Sequence, residues 1–113
     1  MNKYKNLNKT TANYSPLTPL TLLQRSARVY PDKLAVIDDD MNLSYRELYA
    51  RCRQMASALS RRGIETGDTV AILCPNSHEM LEAHYSVPMS GAVLNAINIR
   101  LDAGALSFIL AHG

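Results

Sequence analysis

Residues 69–96 read TVAILCPNSHEMLEAHYSVPMSGAVLNA and decide the fold class. The stretch opens with Thr69–Leu73, an apolar run without polar alternation, which is typical of a strand covered on both faces. A segment of helical length follows from about Ser77 towards Ser90, Gly91 ends it, and Val93–Ala96 is a second apolar run. A strand, a helix and a strand in this order predict a βαβ unit with parallel strands and a right-handed crossover.

Four polar residues stand just before helical stretches, and all four are predicted to be helix N-caps. They are Thr18, Ser44, Asn76 and Asp102. Pro19 occupies the first helical position, where proline is favoured. Glu47 stands three residues after Ser44 and completes a capping box, as Glu79 does after Asn76. Gly63 supplies the left-handed residue expected after the long helix that Ser44 begins.

The first half of the chain predicts two helices separated by a hairpin. Leu34–Ile37 indicates a strand, Asp38–Asn42 indicates a polar turn, and Leu43 indicates a short returning arm. The first helix is predicted to bury a stripe of Leu20, Leu23, Ala27 and Tyr30. The second helix is predicted to bury a stripe of Leu48, Cys52, Met55 and Leu59. The last helix is predicted to have an apolar side of Leu106, Ile109 and Leu110.

The order of these elements predicts an α/β fold class, with βαβ units that form a partial parallel sheet. The last helix should lead into another strand, and none follows it before Gly113. Too few strands are present for a sheet that is covered on both sides, so we expect part of a larger domain. We expect residues 1–15 to be a flexible polar lead-in and residues 16–113 to be a partial α/β domain, incomplete at its C-terminus.

The charge distribution argues against a nucleic-acid partner. The 113 residues carry a formal net charge of +2, and Lys3, Lys5 and Lys9 lie in a tail without acidic residues. The rest of the chain is close to neutral, whereas nucleic-acid binding normally needs a one-sided basic surface. The basic tail is predicted to be a solvated terminus.

The cysteine content indicates the redox compartment of the protein, and the apolar tracts indicate whether it crosses a membrane. Cys52 and Cys74 are the two cysteines, they form no CxxC pair, and they favour a reduced, cytoplasmic setting over a disulfide-rich secreted one. The first ten residues lack the apolar core of a signal peptide. The longest apolar tract, around Val87 to Ile99, is interrupted by polar residues and proline and is shorter than the roughly 20 apolar residues of a membrane helix. No membrane span is predicted.

The segment His78–His84 superficially resembles the HExxH zinc motif. That motif requires two histidines four residues apart, whereas the fourth position here is Glu82 and the second histidine is six residues on. A weak metal site formed by His78 and Glu82 is one interpretation. A partly exposed helix with a salt-tolerant pair at this spacing is the favoured one.

The remaining candidate residues are also given structural interpretations. Cys74 precedes a helix N-terminus, which can lower the pKa of a thiol, but no companion base is evident, so Cys74 and Cys52 are predicted to be packed structural residues. Asp38, Asp39 and Asp40 lack the spacing and the glycine of a calcium loop and are predicted to form a solvated turn. An anion site is a further interpretation for four residues, for which isolated surface positions are favoured. These are Ser60, Arg61, Arg62 and Arg100.

Several catalytic and nucleotide-binding motifs are absent from the sequence. It contains no GxxxxGK[ST] and no GxGxxG, so neither common phosphate-binding loop is present. It also contains no GxSxG nucleophile elbow. We therefore assign no catalytic, cofactor-binding or metal-binding residue in this chain, and we expect it to bind no cofactor by itself.

Three segments together carry a family pattern. The first contains NYSPLTP at 13–19, the second contains LSYREL at 43–48 and GDTVAILCPN at 67–76, and the third is VPMSGAVLNAINIRL at 87–101. The chain resembles the N-terminal region of AMP-forming acyl-CoA synthetases, which are adenylate-forming enzymes. The first and last segments are similar to the medium-chain or acyl-activating branch, which includes short-chain fatty acid CoA ligases. The resemblance covers essentially the whole chain after the tail.

This resemblance implies an acid–thiol ligase of fatty acid metabolism. In the implied reaction, a carboxylic acid attacks the α-phosphate of ATP to give an acyl-adenylate and pyrophosphate, and the thiol of CoA then displaces AMP. The full-length family uses ATP, Mg²⁺ and CoA. The family's phosphate loop, adenine and ribose contacts and catalytic lysine have no counterpart in these 113 residues. The chain is therefore expected to be scaffold and to be inactive alone.

Two other interpretations stay open at this point. One is a small non-enzymatic α/β protein whose uncovered sheet edge pairs with a partner. The other is an adenylation domain that passes its acyl group to a carrier protein instead of CoA.

Overall fold

The computed structural model describes residues 8–113, which form four helices and four strands. In chain order these are α1 (Pro19–Val29), β1 (Leu34–Asp38), β2 (Met41–Ser44), α2 (Tyr45–Arg61), β3 (Thr69–Leu73), α3 (His78–Met89), β4 (Val93–Ile97) and α4 (Ala103–His112). None of these helices is long and apolar enough to cross a bilayer.

The predicted βαβ unit is confirmed. Strands β3 and β4 pair in parallel, in register from Thr69 opposite Val93 to Leu73 opposite Ile97. The turn into β4 needs a glycine, because Gly91 has a φ of +85° and a Cβ there would lie 2.6 Å from Oγ1 of Thr66. The unit is therefore closed by a backbone conformation that other residues rarely adopt.

Strand β3 is covered on one face only by the described part of the chain. Val70 packs against the small core of Leu59, Val87 and Ala92, which α2 and α3 help to build. Residues 69, 71 and 73, on the other face of the strand, are exposed. The expectation that both faces are covered is thus wrong for residues 8–113, because both packed helices lie on the same side.

Strands β1 and β2 form the predicted antiparallel hairpin. Asp39 lies in its turn with a φ of +47°, a conformation that aspartate tolerates better than most residues. The hairpin packs against α1 and α2 around a separate core. This core consists of Leu23, Val36, Leu43, Leu48 and Cys52.

Three residues of the predicted apolar stripes are exposed. Tyr30 is half exposed because α1 ends one residue earlier and Tyr30 is its C-cap. Met55 is 46% exposed, and the neighbouring Ala56 takes its place in the buried stripe of α2. Leu110 of α4 is also exposed.

The predicted helix caps are confirmed at three of four positions. Thr18 and Ser44 both form capping boxes, and Asp102 accepts a hydrogen bond from the backbone N–H of Ala105. The prediction of Asn76 is wrong, because Ser77 is the N-cap of α3. The Ser77 side chain makes no capping hydrogen bond and instead donates to Glu79.

The predicted lead-in lies partly outside the described residues, since Lys3 and Lys5 belong to residues 1–7. Lys9 is described, and its ammonium lies 4.3 Å from the centre of the Tyr14 ring. Residues 10–14 form a hydrogen-bonded turn. The boundary between residues 15 and 16 stays a prediction.

Candidate functional site

Asp38, His78 and Glu79 form a cluster of polar side chains at the amino end of α3, and Asp38 comes from a distant part of the sequence. One oxygen of Asp38, at the end of β1, lies 2.7 Å from the backbone nitrogen of His78 and 2.8 Å from Nδ1 of the same residue. On the other side of the ring, Nε2 of His78 lies 3.2 Å from Oε1 of Glu79. The His78 side chain is only 13% exposed.

Asp38 therefore performs the capping role that sequence reasoning gave to Asn76. Its carboxylate accepts the first backbone N–H of α3, an orphan donor that Ser77 leaves unbonded. This hydrogen bond, together with the one from the His78 ring, lowers the pKa of Asp38. The hydrogen bond from Ser77 lowers the pKa of Glu79. Both groups are thus held as carboxylates at the positive end of the helix dipole.

The same three side chains offer donor atoms within 4.8 Å of one another, a spacing that suits a metal ion. The charges at this helix end argue against a metal ion. A cation is disfavoured at a helix N-terminus, and the Asp38 oxygen already accepts a backbone N–H there. The cluster is best described as an anionic cap that also holds the His78 ring. The predicted solvated turn is therefore wrong for Asp38, while Asp39 and Asp40 are exposed as expected.

The predicted pairing of His78 with Glu82 is also wrong. Glu82 is 7% exposed, and its carboxylate accepts a hydrogen bond of 2.7 Å from Nε of Arg51 on α2. His84 lies on the exposed side of α3, with Nδ1 2.8 Å from the carbonyl oxygen of Met80. The residue spacing along α3 predicted neither Asp38 as the partner of His78 nor Arg51 as the partner of Glu82, because both partners come from other elements.

The two cysteines lie in different surroundings. Cys52 is fully buried, as predicted, and burial raises the pKa of its thiol to about 11. It is therefore protonated at neutral pH and a poor nucleophile. Cys74 is half-buried because it lies beyond the end of β3, with its Sγ 3.5 Å from Oγ of Ser77.

Cys74 lines an open cleft of about 510 Å³ at the carboxyl ends of β3 and β4, together with His84 and Arg100. Arg61 lies elsewhere, in a depression along α2. Ser60 and Arg62 are exposed. The four residues considered for an anion site therefore do not line one common cleft.

Ser86 of α3 has a buried hydroxyl without a hydrogen-bond partner among the described residues. An unpaired buried hydroxyl costs about 1–3 kcal/mol, and alanine is also the better helix former. We expect Ser86→Ala to stabilise this chain by about 1 kcal/mol in urea unfolding. Ser57→Ala, on the exposed side of α2, is the matched control and should gain only about 0.5 kcal/mol. A loss of stability in Ser86→Ala would contradict the prediction.

Comparison with known proteins identifies the family. Residues 23–113 match the AMP-binding enzyme family. The chain is 51% identical over 106 residues to the peroxisomal acetate/butyrate–CoA ligase of Arabidopsis thaliana, covering 94% of this chain and 19% of that protein. It is 47% identical to the acetate–CoA ligase of Humulus lupulus, with the same coverage of both chains. The chain thus spans about a fifth of the length of these relatives.

Solved structures of acyl-CoA synthetases contain the same arrangement. The fatty acyl CoA synthetase of Mycobacterium tuberculosis matches with a TM-score of 0.76 and 36% identity over 80% of this chain and 18% of that one. The O-succinylbenzoate CoA synthetase of Bacillus subtilis, in complex with ATP and magnesium ion, matches with a TM-score of 0.75 and 30% identity over 79% of this chain and 24% of that one. The predicted fold class is confirmed, and the chain belongs to the AMP-binding family of adenylate-forming enzymes.

Proposed function

We propose that the protein carrying this chain is an AMP-forming acid–CoA ligase. The observation that carries the proposal is 51% identity, over almost the whole chain, to a relative named as an acetate/butyrate–CoA ligase. The reaction would join a carboxylic acid to the α-phosphate of ATP, release pyrophosphate, and then exchange AMP for the thiol of CoA.

We propose short-chain carboxylic acids as the substrate class. The names of three similar relatives support this choice, since they specify acetate or butyrate, acetate, and 2-methylpropanoate. Other relatives of lower identity are named for benzoate and trans-cinnamate, so an aromatic acid is the alternative that the substrate test must include.

The residues of this chain do not by themselves provide a binding site for ATP or Mg²⁺. The sequence lacks both common phosphate-binding loops. Its clustered carboxylates, Asp38 and Glu79, accept hydrogen bonds from residues of α3 and its cap. We therefore propose a scaffold role for residues 8–113 and assign them no chemical step.

The cytoplasmic location stays a prediction from the sequence. Several relatives are named as peroxisomal, which makes the peroxisome the competing location.

The proposed function is tested by ATP–pyrophosphate exchange and by thioester formation. The protein from the complete reading frame should exchange pyrophosphate with acetate or butyrate and should then form acyl-CoA. The 113-residue chain, assayed in parallel, should show neither activity. Exchange without transfer to CoA would favour a carrier-protein acceptor. No exchange with acetate, butyrate, 2-methylpropanoate, benzoate or cinnamate would overturn the proposal, and exchange by the short chain would overturn its scaffold role.

A further inference from the structure

The fully buried hydroxyl of Ser86 makes no hydrogen bond within residues 8–113. A serine in a helix commonly bonds its hydroxyl back to a carbonyl of the preceding turn, as Ser90 does with the carbonyl oxygen of Val87. Ser86 instead lines a cavity of about 270 Å³ between α2, α3 and β3. Its hydroxyl is therefore available to a molecule in that cavity.

The cavity combines apolar walls with polar groups, as small-molecule sites commonly do. Its apolar lining residues are Met55, Ile72 and Ala83. Among its polar residues, Glu82 and Ser86 are buried, whereas the side chains of Arg51 and Glu79 are 41% and 56% exposed. A molecule in the cavity would thus place its apolar part against the walls and its polar group beside Glu82 and Ser86.

The polar lining favours a ligand that donates hydrogen bonds. Glu79, Glu82 and Ser86 are spaced by three and four residues and share one face of α3. Carboxylates only accept hydrogen bonds, and a hydroxyl can accept them as well. One arginine and two carboxylates give the lining a formal charge of −1. The cavity therefore suits a positively charged donor better than an anion.

We propose that this cavity binds a small aliphatic ammonium ion, with its N–H groups donating to Ser86 and Glu82 and its hydrocarbon part against Ile72. An ammonium group has three N–H donors, enough to reach both side chains. Ser86 lies in the last third of α3, away from the positive end of the helix dipole, so the dipole does not oppose a cation there. The inference is independent of the proposed ligase activity.

The guanidinium of Arg51 does not exclude a second cation from the cavity. Its Nε donates a hydrogen bond of 2.7 Å to Oε1 of Glu82, and this bond raises the pKa of Arg51. The two opposite charges offset each other. The hydrogen bond from Ser77 lowers the pKa of Glu79, so this residue stays a carboxylate and supplies the remaining negative charge.

The test is an NMR titration of the 113-residue chain at pH 7 with probes of matched length, which are butylammonium, 1-butanol and butyrate. Butylammonium should give saturable shifts of the amide signals of Glu82, Ala83 and Ser86. The dissociation constant of 1-butanol should be about tenfold higher, because it lacks the charge. That of methylammonium should also be about tenfold higher or more, because it lacks the apolar part. Butyrate should leave these signals unshifted.

Ser86→Ala should raise the dissociation constant of butylammonium about tenfold, because it removes a hydrogen bond to a charged group. The same substitution is expected to stabilise the chain without ligand. Opposite changes in affinity and stability separate a binding role of the hydroxyl from a structural one. Ser57→Ala, on the exposed side of α2, is the control and should leave the dissociation constant unchanged. Glu79→Gln should raise it about twofold, since the removed charge is partly exposed.

Urea unfolding gives a second readout. Saturating butylammonium should raise the urea midpoint of the parent chain clearly more than that of Ser86→Ala at the same concentration, because the ligand binds only the folded state. Equal affinity for butylammonium and 1-butanol would show an apolar cavity without the proposed specificity. Unchanged affinity in Ser86→Ala would exclude the hydroxyl from the site, and no saturable shift would show a cavity that holds only water. Each of these three results would overturn the inference.

Discussion

Leu48→Ala is expected to destabilise this chain by about 3 kcal/mol, because it removes a side chain from the centre of the larger core. Leu48 is 3% exposed and belongs to the core that joins α1, the hairpin and α2. Cys52, one turn later on the same stripe, is fully buried, so little neighbouring structure is free to fill the space. The loss should appear as a lower urea midpoint with an unchanged slope.

Met55→Ala is the matched control for this prediction. It shortens an apolar side chain on the same helix, but at a position that is 46% exposed. Its expected cost is below about 1 kcal/mol. Equal losses in the two variants would show that the stripe of α2 is placed wrongly and that Met55 belongs to the core, as the sequence alone indicated.

The exposure of Met55 could not be predicted from the sequence. Residues 52, 55, 56 and 59 all suit a helical stripe, and spacing alone does not decide between a methionine and the alanine beside it. The choice follows from the direction in which α2 meets its neighbours, which is a tertiary property. The smaller Ala56 is buried beside Cys52 and Leu59, while Met55 lies nearer the edge of the helix pair.

Local signals did predict the elements themselves. Thr18 and Ser44 cap their helices through hydrogen bonds with Thr21 and Glu47, three residues further on, so these caps can be predicted from the sequence. The βαβ unit was equally predictable from the sequence, because its two apolar runs flank a segment of helical length. The family pattern then supplied the proposed enzyme class, which no individual residue of this chain indicates.

The polar clusters were not predictable in the same way. Asp38 and His78 are 40 residues apart, and Arg51 and Glu82 are 31 apart. Neither spacing has a periodic signature. The capping of α3 was assigned to Asn76 because sequence reasoning seeks caps next to the helix. A cap supplied by another element becomes visible only when the hairpin is folded against α3.

Breaking the ion pair between Arg51 and Glu82 is also expected to destabilise the chain strongly. Glu82 is 7% exposed, and it lines a small cavity of about 270 Å³ with apolar neighbours that include Ile72 and Ala83. Its carboxylate is bonded to Nε of Arg51, and this hydrogen bond raises the pKa of Arg51. The arginine side chain is 41% exposed, so solvent weakens the attraction, but the carboxylate on the other side has little access to water.

Arg51→Ala is therefore expected to cost this chain about 2 kcal/mol at pH 7, because it leaves a buried carboxylate unpaired. The control is Arg46→Ala, whose partner Asp32 is 85% exposed, and this variant should lose less than about 1 kcal/mol. The double variant Arg51→Met and Glu82→Leu should recover most of the loss, since apolar residues of similar size often replace buried ion pairs without cost. If the double variant is as unstable as Arg51→Ala, the unpaired carboxylate is not the source of the loss.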